Sequence, residues 1–196
     1  MMTRYAARLV LCVSLGLLVA ASRAEAQYFG ANKVRFETPS FRVLTTEHFD
    51  VYYYPAEADG ARLAARLAER WYTRLARVFD HDLRGRQPLI LYASPAAFRQ
   101  TNIVDGDLGE GTGGVTESLR RRIVLPLAGT LAATDHVIGH ELVHAFQFDI
   151  TSKAEPASER RAPGAQLLAL WFVEGMAEYL SRGPVDAETA MWLRDA

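Results

Sequence analysis

Hydrophobic and polar positions alternate along this chain in two different rhythms. Phe41-Arg42-Val43-Leu44-Thr45 and His48-Phe49-Asp50-Val51-Tyr52-Tyr53-Tyr54 are rich in aromatic and β-branched residues and flank a short polar turn, which predicts a hairpin. From Ala58 to about Phe79 the rhythm changes: Leu63, Leu67, Trp71, Leu75 and Val78 recur at helical spacing among arginines and alanines, predicting a long amphipathic helix. Its alternating charges read as a solvated face. Pro88 to Ala93 predicts a short buried strand and Pro95 to Gln100 a helical turn, giving a β-α-β-like rhythm.

The glycine-rich stretch Gly106 to Gly114 has no Lys-Ser/Thr after it and no strand-loop-helix frame, so it reads as a loop rather than a phosphate cradle. Two strands are expected after it, at Val115-Thr116-Glu117 and at Arg122-Ile123-Val124-Leu125. A helix capped by Thr134 or Asp135 follows, running to about Phe148. Thr151 to Gly164 is a polar loop, Leu167 to Leu180 a second strong helix stopped near Gly183-Pro184, and a third short helix begins at Asp186. No internal repeat is present.

The opening residues belong to none of these elements. Arg4 and Arg8 precede an apolar run from Leu9 to Ala20, and Ala24-Glu25-Ala26 follows, the charge and small-residue pattern of a secretory signal over residues 1–26. An uncleaved anchor is the alternative, but the run is short of the roughly 20 apolar residues that span a bilayer. The expected product is exported, to the periplasm or the medium, as one domain over residues 27–196. The only cysteine, Cys12, lies within the signal, so this domain depends on a packed core or a metal rather than on disulfides. The formal net charge of −1, which becomes more negative once Arg4, Arg8 and Arg23 leave with Glu25, gives no reason to expect nucleic acid.

The chemistry is concentrated in His140-Glu141-Leu142-Val143-His144. On a helix the two imidazoles stand one turn apart on one face, where a single divalent ion can bridge them. Glu141 projects beside that ion and can take a proton from its water. As plain helix residues, two imidazoles and a carboxylate on an apolar helix would be costly to bury, and a metal compensates them. His136, one turn earlier, reads as a solvated or capping residue. A catalytic zinc takes three protein ligands, and Trp171-Phe172-Val173-Glu174-Gly175-Met176-Ala177-Glu178-Tyr179 offers two carboxylates on one apolar helix face. Glu174 can supply the third ligand, and Glu178 can accept the free ring N–H of a ligating histidine. Gly175 fits a close approach of two helices.

These two strings together resemble the peptidase MA-like branch of the gluzincins. The resemblance implies an α+β, zincin-like fold: a small mixed sheet packed on a long helix, with an active-site helix followed by a glutamate-ligand helix. It implies one Zn2+ held by His140, His144 and Glu174, with Glu141 as general base and Glu178 behind the ligands. The implied reaction is hydrolysis of peptide bonds by a zinc-held water that Glu141 activates. By analogy with similar enzymes, Val115-Thr116-Glu117 is the edge along which an extended peptide or protein substrate lies. Tyr179 and Arg182 are near enough to serve the oxyanion, though core or capping roles fit each better.

The arm Tyr28-Phe29-Gly30-Ala31-Asn32-Lys33-Val34 and Glu47 to Tyr54 further resemble exported bacterial proteins in which such a domain precedes a TolB-like β-propeller. Three rival readings stand beside the peptidase. One is a catalytically inactive zinc-binding scaffold associated with a β-propeller partner; another is a metal-dependent hydrolase of esters or non-peptide amides. The third is a C-terminally truncated piece whose cleft needs a missing half.

Overall fold

The computed structural model describes residues 40–104, 108–109, 111–118, 120–127, 129–152, 168–187, 190, 191 and 194. The expected signal and the entry arm lie outside these residues, as does most of the loop expected over 151–164.

The hairpin forms from β1 (Arg42–Thr45) and β2 (Phe49–Tyr53), paired antiparallel with Val43 opposite Tyr52. The helix α1 (Ala58–Phe79) then carries the chain to β3 (Gln87–Tyr92), which lies parallel to β2. After the one-turn helix α2 (Pro95–Phe98), capped by the Ser94 side chain, come β4 (Val115–Glu117) and β5 (Arg122–Pro126). The strand β5 inserts parallel to β3 and leaves β4 antiparallel at the edge, giving the order β1-β2-β3-β5-β4. Two longer helices complete the chain, α3 (Leu131–Ser152) and α4 (Leu170–Arg182). The described residues therefore form an α+β fold, a five-stranded mixed sheet with the four helices named above. None of the described helices is long and apolar enough to cross a membrane.

Strand alternation sorts the sheet into two faces. Phe49, Val51, Leu89, Leu91, Ile123 and Leu125 point to one side and meet α1 and α3, while Tyr92 and Val124 point to the other and pack with Phe98 of α2. Of the expected stripe of α1, Leu67, Trp71 and Leu75 are buried and Leu63 packs against the core, whereas Val78 is exposed. The rest of the buried face is Ala61, Ala64, Ala65, Ala68 and Tyr72. Small side chains let the helix sit close on the sheet, and the larger apolar positions alone did not mark the whole of that face.

Helix α3 starts earlier than expected. Its cap is Thr130, whose hydroxyl accepts from Ala133 N at 3.1 Å, not Thr134 or Asp135. Asp135 is instead taken by α1, accepting from Arg70 at 2.6 Å and from Trp71 Nε1 at 2.8 Å. The helix also runs past Phe148 to Ser152. Helix α4 begins at Leu170 and ends at Arg182, where Gly183 adopts a φ of 96° and its N–H bonds to Tyr179 O. The third short helix is present in its described residues, with Ala190 N donating to Asp186 O at 3.0 Å.

Candidate metal centre

Helix α3 is buried on nearly every side, packing against α1, α4, β4 and β5. Its approach to α1 depends on Gly139, where a Cβ would lie 2.6 to 2.9 Å from the Trp71 ring. That contact sets the depth of the next residues, His140 and Glu141, against the sheet edge. The close helix approach expected at Gly175 is not there, since a Cβ at that position would meet nothing within 4 Å. Gly139 carries that role.

Three of the expected ligands converge. His140 Nε2 and His144 Nε2 are 3.1 Å apart, and Glu174 Oε2 stands 3.3 Å from the first and 3.4 Å from the second. Four ligands arranged tetrahedrally at bonds of about 2.0 to 2.1 Å lie about 3.3 Å from one another, so the triangle has the size of one face of a zinc tetrahedron. The protonation pattern also suits a cation. Gln147 Oε1 is 2.8 Å from His144 Nδ1, and the amide orientation is fixed because Gln147 Nε2 donates to Val173 O at 3.0 Å. His144 therefore carries its proton on Nδ1 and turns the lone pair of Nε2 toward His140 and Glu174. Two imidazole nitrogens and a carboxylate facing one another form a set that one cation could bridge.

Glu178 is 3.3 Å from His140 Nδ1, but the approach is off the hydrogen-bonding direction and Nδ1 has no hydrogen-bond partner among the described residues. The contact is a close approach rather than a hydrogen bond. Neither carboxylate is sunk in apolar surroundings as the sequence suggested: the Glu174 side chain is 51% exposed and Glu178 about a third. The firm partner of an imidazole in this cluster is Gln147, on His144, a residue the sequence pattern does not single out. Its signal was present, a polar residue three positions beyond His144 on an otherwise apolar helix.

His136, His140 and Glu178 form a second triad of metal-binding type, sharing His140. Arg182 argues against it. Its Nε donates to His136 Nε2 at 3.2 Å and pairs with Glu178 Oε1 at 2.5 Å, so a guanidinium already stands against both. Burial and Arg182 hold the His136 pKa below the ordinary imidazole value, with Glu178 pulling the other way. Arg182 thus has neither a core nor a plain capping role, and Tyr179 is exposed rather than in the core.

Glu141 is buried against the sheet edge. Thr116 Oγ1 lies 2.6 Å from Glu141 Oε2 and 2.8 Å from Glu141 O. Burial pushes the Glu141 carboxyl above the ordinary range; Thr116 and His144 lower it, and Glu174 adds to the rise. Two cavities meet here. One of about 530 Å3 is walled mainly by apolar groups, among them Val115, Phe148, Leu168 and Val173, and holds His140, Glu141, His144 and Glu174. The other, about 650 Å3, reaches from the same His140 and Glu141 to His136, Glu178 and Arg182.

Such a site can hold a divalent cation beside a buried carboxylate, at the floor of a cleft bordered by a strand edge. No family model, curated protein or solved structure matches this chain.

Proposed function

We propose that this chain is an exported, zinc-dependent peptidase of the gluzincin type with a zincin-like fold. The observation that carries the reading is the triangle of His140 Nε2, His144 Nε2 and Glu174 Oε2, with edges of 3.1 to 3.4 Å, beside the buried carboxylate of Glu141. When bound there, zinc polarises a substrate carbonyl and acidifies a water. The residues do the rest. Gln147 fixes the tautomer of His144, and Glu141 takes the water's proton as the oxygen attacks the carbonyl carbon. Glu141 then returns that proton to the amine nitrogen as the C–N bond breaks. Burial raises its pKa above the ordinary carboxylate value, the direction that favours taking up a proton. The edge strand β4 borders the cavity through Val115 and Thr116, where an extended substrate can pair with it. Export rests on the charge and cleavage pattern of residues 1–26.

One observation favours a second reading. Leu170 and Trp171, at the head of the Glu174 helix, are 73% and 76% exposed, a surface suited to an interaction domain that keeps zinc as a scaffold beside a β-propeller partner. Zinc content and casein hydrolysis of the purified protein, compared with Glu141→Gln and Glu174→Ala, separate the two. The peptidase reading expects one zinc and cleavage in the wild type. Glu141→Gln should keep the metal and lose at least about 100-fold in rate, the usual worth of a positioned base. Glu174→Ala should lose the metal. Zinc in the wild type and in Glu141→Gln, with no cleavage by either, would leave the scaffold.

A further inference from the structure

The segment from Gly114 to Thr116 lies along Glu141, bonding one carboxylate oxygen and leaving space beside the other. Thr116 Oγ1 reaches Oε2 at 2.6 Å, and the same hydroxyl lies 2.8 Å from the Glu141 carbonyl oxygen. At Gly114 a Cβ would stand 2.9 Å from Glu141 Cγ, 3.0 Å from Oε1 and 2.9 Å from Val137 Cγ1. The carboxylate therefore occupies the space that any side chain at position 114 would need. Neither neighbour is a consequence of the metal-binding string, and neither was marked by it.

We infer that Gly114 and Thr116 are positioning residues for the base: Thr116 ties down Oε2, Gly114 leaves room for Oε1, and Oε1 alone is the oxygen that accepts and returns the proton. This rests on the peptidase reading. A threonine hydroxyl has one proton to give, and the Glu141 carbonyl oxygen and an ionised Oε2 can both only accept; the charged oxygen is the stronger acceptor and the nearer one, so the hydroxyl donates to Oε2 when Glu141 is charged. A hydrogen bond to a charged group is short and strong, and 2.6 Å is of that kind. With Oε2 so occupied, the incoming proton goes to Oε1, which has no hydrogen-bond partner among the described residues. The carboxylate is also kept from rotating, so the accepting oxygen stays where the water must be. Misplacement of such a group by an ångström is enough to cost orders of magnitude in rate.

The test uses the whole protein with Thr116→Val, which keeps the shape and removes the hydroxyl, Thr116→Ser, which restores it, and Gly114→Ala, which intrudes on Oε1. Thr116→Ala repeats the first variant where valine disturbs the strand, and circular dichroism checks the fold of each. Zinc content, kcat and KM on a casein-derived peptide, and affinity for acetohydroxamate are read together. The hydroxamate reports without turnover, because its hydroxyl proton needs the same carboxylate oxygen.

Thr116→Val should keep one zinc and a KM within about twofold, lose roughly 10- to 100-fold in kcat, and bind acetohydroxamate about tenfold more weakly. Thr116→Ser should recover to within about threefold of wild type, and Gly114→Ala should resemble the valine variant. A folded Thr116→Val with wild-type kcat and hydroxamate affinity overturns the inference and leaves the peptidase reading intact. A wild type that binds zinc and acetohydroxamate but cleaves nothing sinks the peptidase reading, while the hydroxamate series still decides how Glu141 is held. A wild type that holds no zinc overturns both.

Discussion

Helices α3 and α4 supply the two halves of the candidate metal site and are held in place by different means. Helix α3 is buried almost continuously from Ile138 to Asp149, is keyed into α1 at Gly139, and is tied at both ends by Asp135 and Asp149. Helix α4 buries only Val173 and Ala177, and two of its charge pairs, Glu178 with Arg182 and Arg182 with Asp186, stay on its own side. Besides that apolar edge, the Gln147 to Val173 bond and the bond from Arg182 to His136, α4 meets α3 through contacts between its acids and the histidines of α3. His140, Glu141 and His144 thus belong to the buried core, and Glu174 belongs to a more loosely held element, so on the peptidase reading the position of α4 should depend on a bound metal.

Stripping the metal is the most direct way to break that contrast. A ligand at 1,000 times its dissociation constant stabilises the form that binds it by about 4 kcal/mol. If the ion is the main clamp on α4, amide exchange across Leu170 to Arg182 should accelerate on the order of 1,000-fold when a chelator removes it. Amides from Leu142 to Phe146 should change by less than about tenfold. Equal acceleration in both helices would mean that the cluster holds the whole core together, and no change in either would mean that α4 needs no metal to dock.

The contrast sharpens from the other side at Gly139. A side chain there must displace the Trp71 ring, which is buried and fixed by its bond to Asp135. Gly139→Val should cost about 3 kcal/mol in urea unfolding, the upper range for overpacking a core. Zinc loss should follow as His140 is pushed off the sheet edge. Combining it with Trp71→Leu should recover part of the loss, a coupling that a double-mutant cycle reads directly. Additive effects would show that the ring is not what position 139 presses against.

The same contrast explains what could be read from residues alone. The string His140 to His144 and the acids Glu174 and Glu178 were legible because metal ligation needs particular residue types at helical spacing, and the strands because their apolar positions alternate. Three of the four ligand and base assignments, His140, His144 and Glu174, meet in one cluster, and Glu141 lies beside it. What stayed hidden is tertiary. Much of the buried face of α1 is written in alanine, which marks burial weakly, and Val78 was a better sequence match than a core residue. Asp135 resembles a cap in sequence but is claimed by Arg70 and Trp71, 65 and 64 residues away. Gly175 and Gly139 are alike until the partner helix is present. Gln147 and Thr116 reach the site only once α4 and the sheet edge are placed.

The far end of α3 gives the smallest of these effects and the one with a pH signature. Asp149 is fully buried, with His81 Nε2 at 2.8 Å, Arg84 Nε at 2.9 Å and Arg121 at 3.4 Å. Burial alone would raise its pKa, but His81, Arg84 and Arg121 outweigh it and hold the carboxyl below the ordinary value. A depressed native pKa means that the pairing contributes in full above the unfolded value of about 3.9 and is lost as the pH falls through the lower, native value. Removing one partner of a buried pair is costly, yet Arg84 and Arg121 are partly exposed and can turn to water, so Asp149→Ala should cost about 2 kcal/mol at pH 7. The gap between wild type and Asp149→Ala should stay constant from pH 7 to 5 and narrow below about pH 4, as the wild-type carboxyl takes up its proton. Urea melts across that range, with zinc content followed in parallel, decide how far the anchor matters to the site. If the variant loses stability but keeps its zinc, the buried packing around Gly139 and Phe146 is enough to hold the histidines. If zinc is lost as well, the rigidity of α3 at His140 depends on a charge about one and a half turns beyond His144.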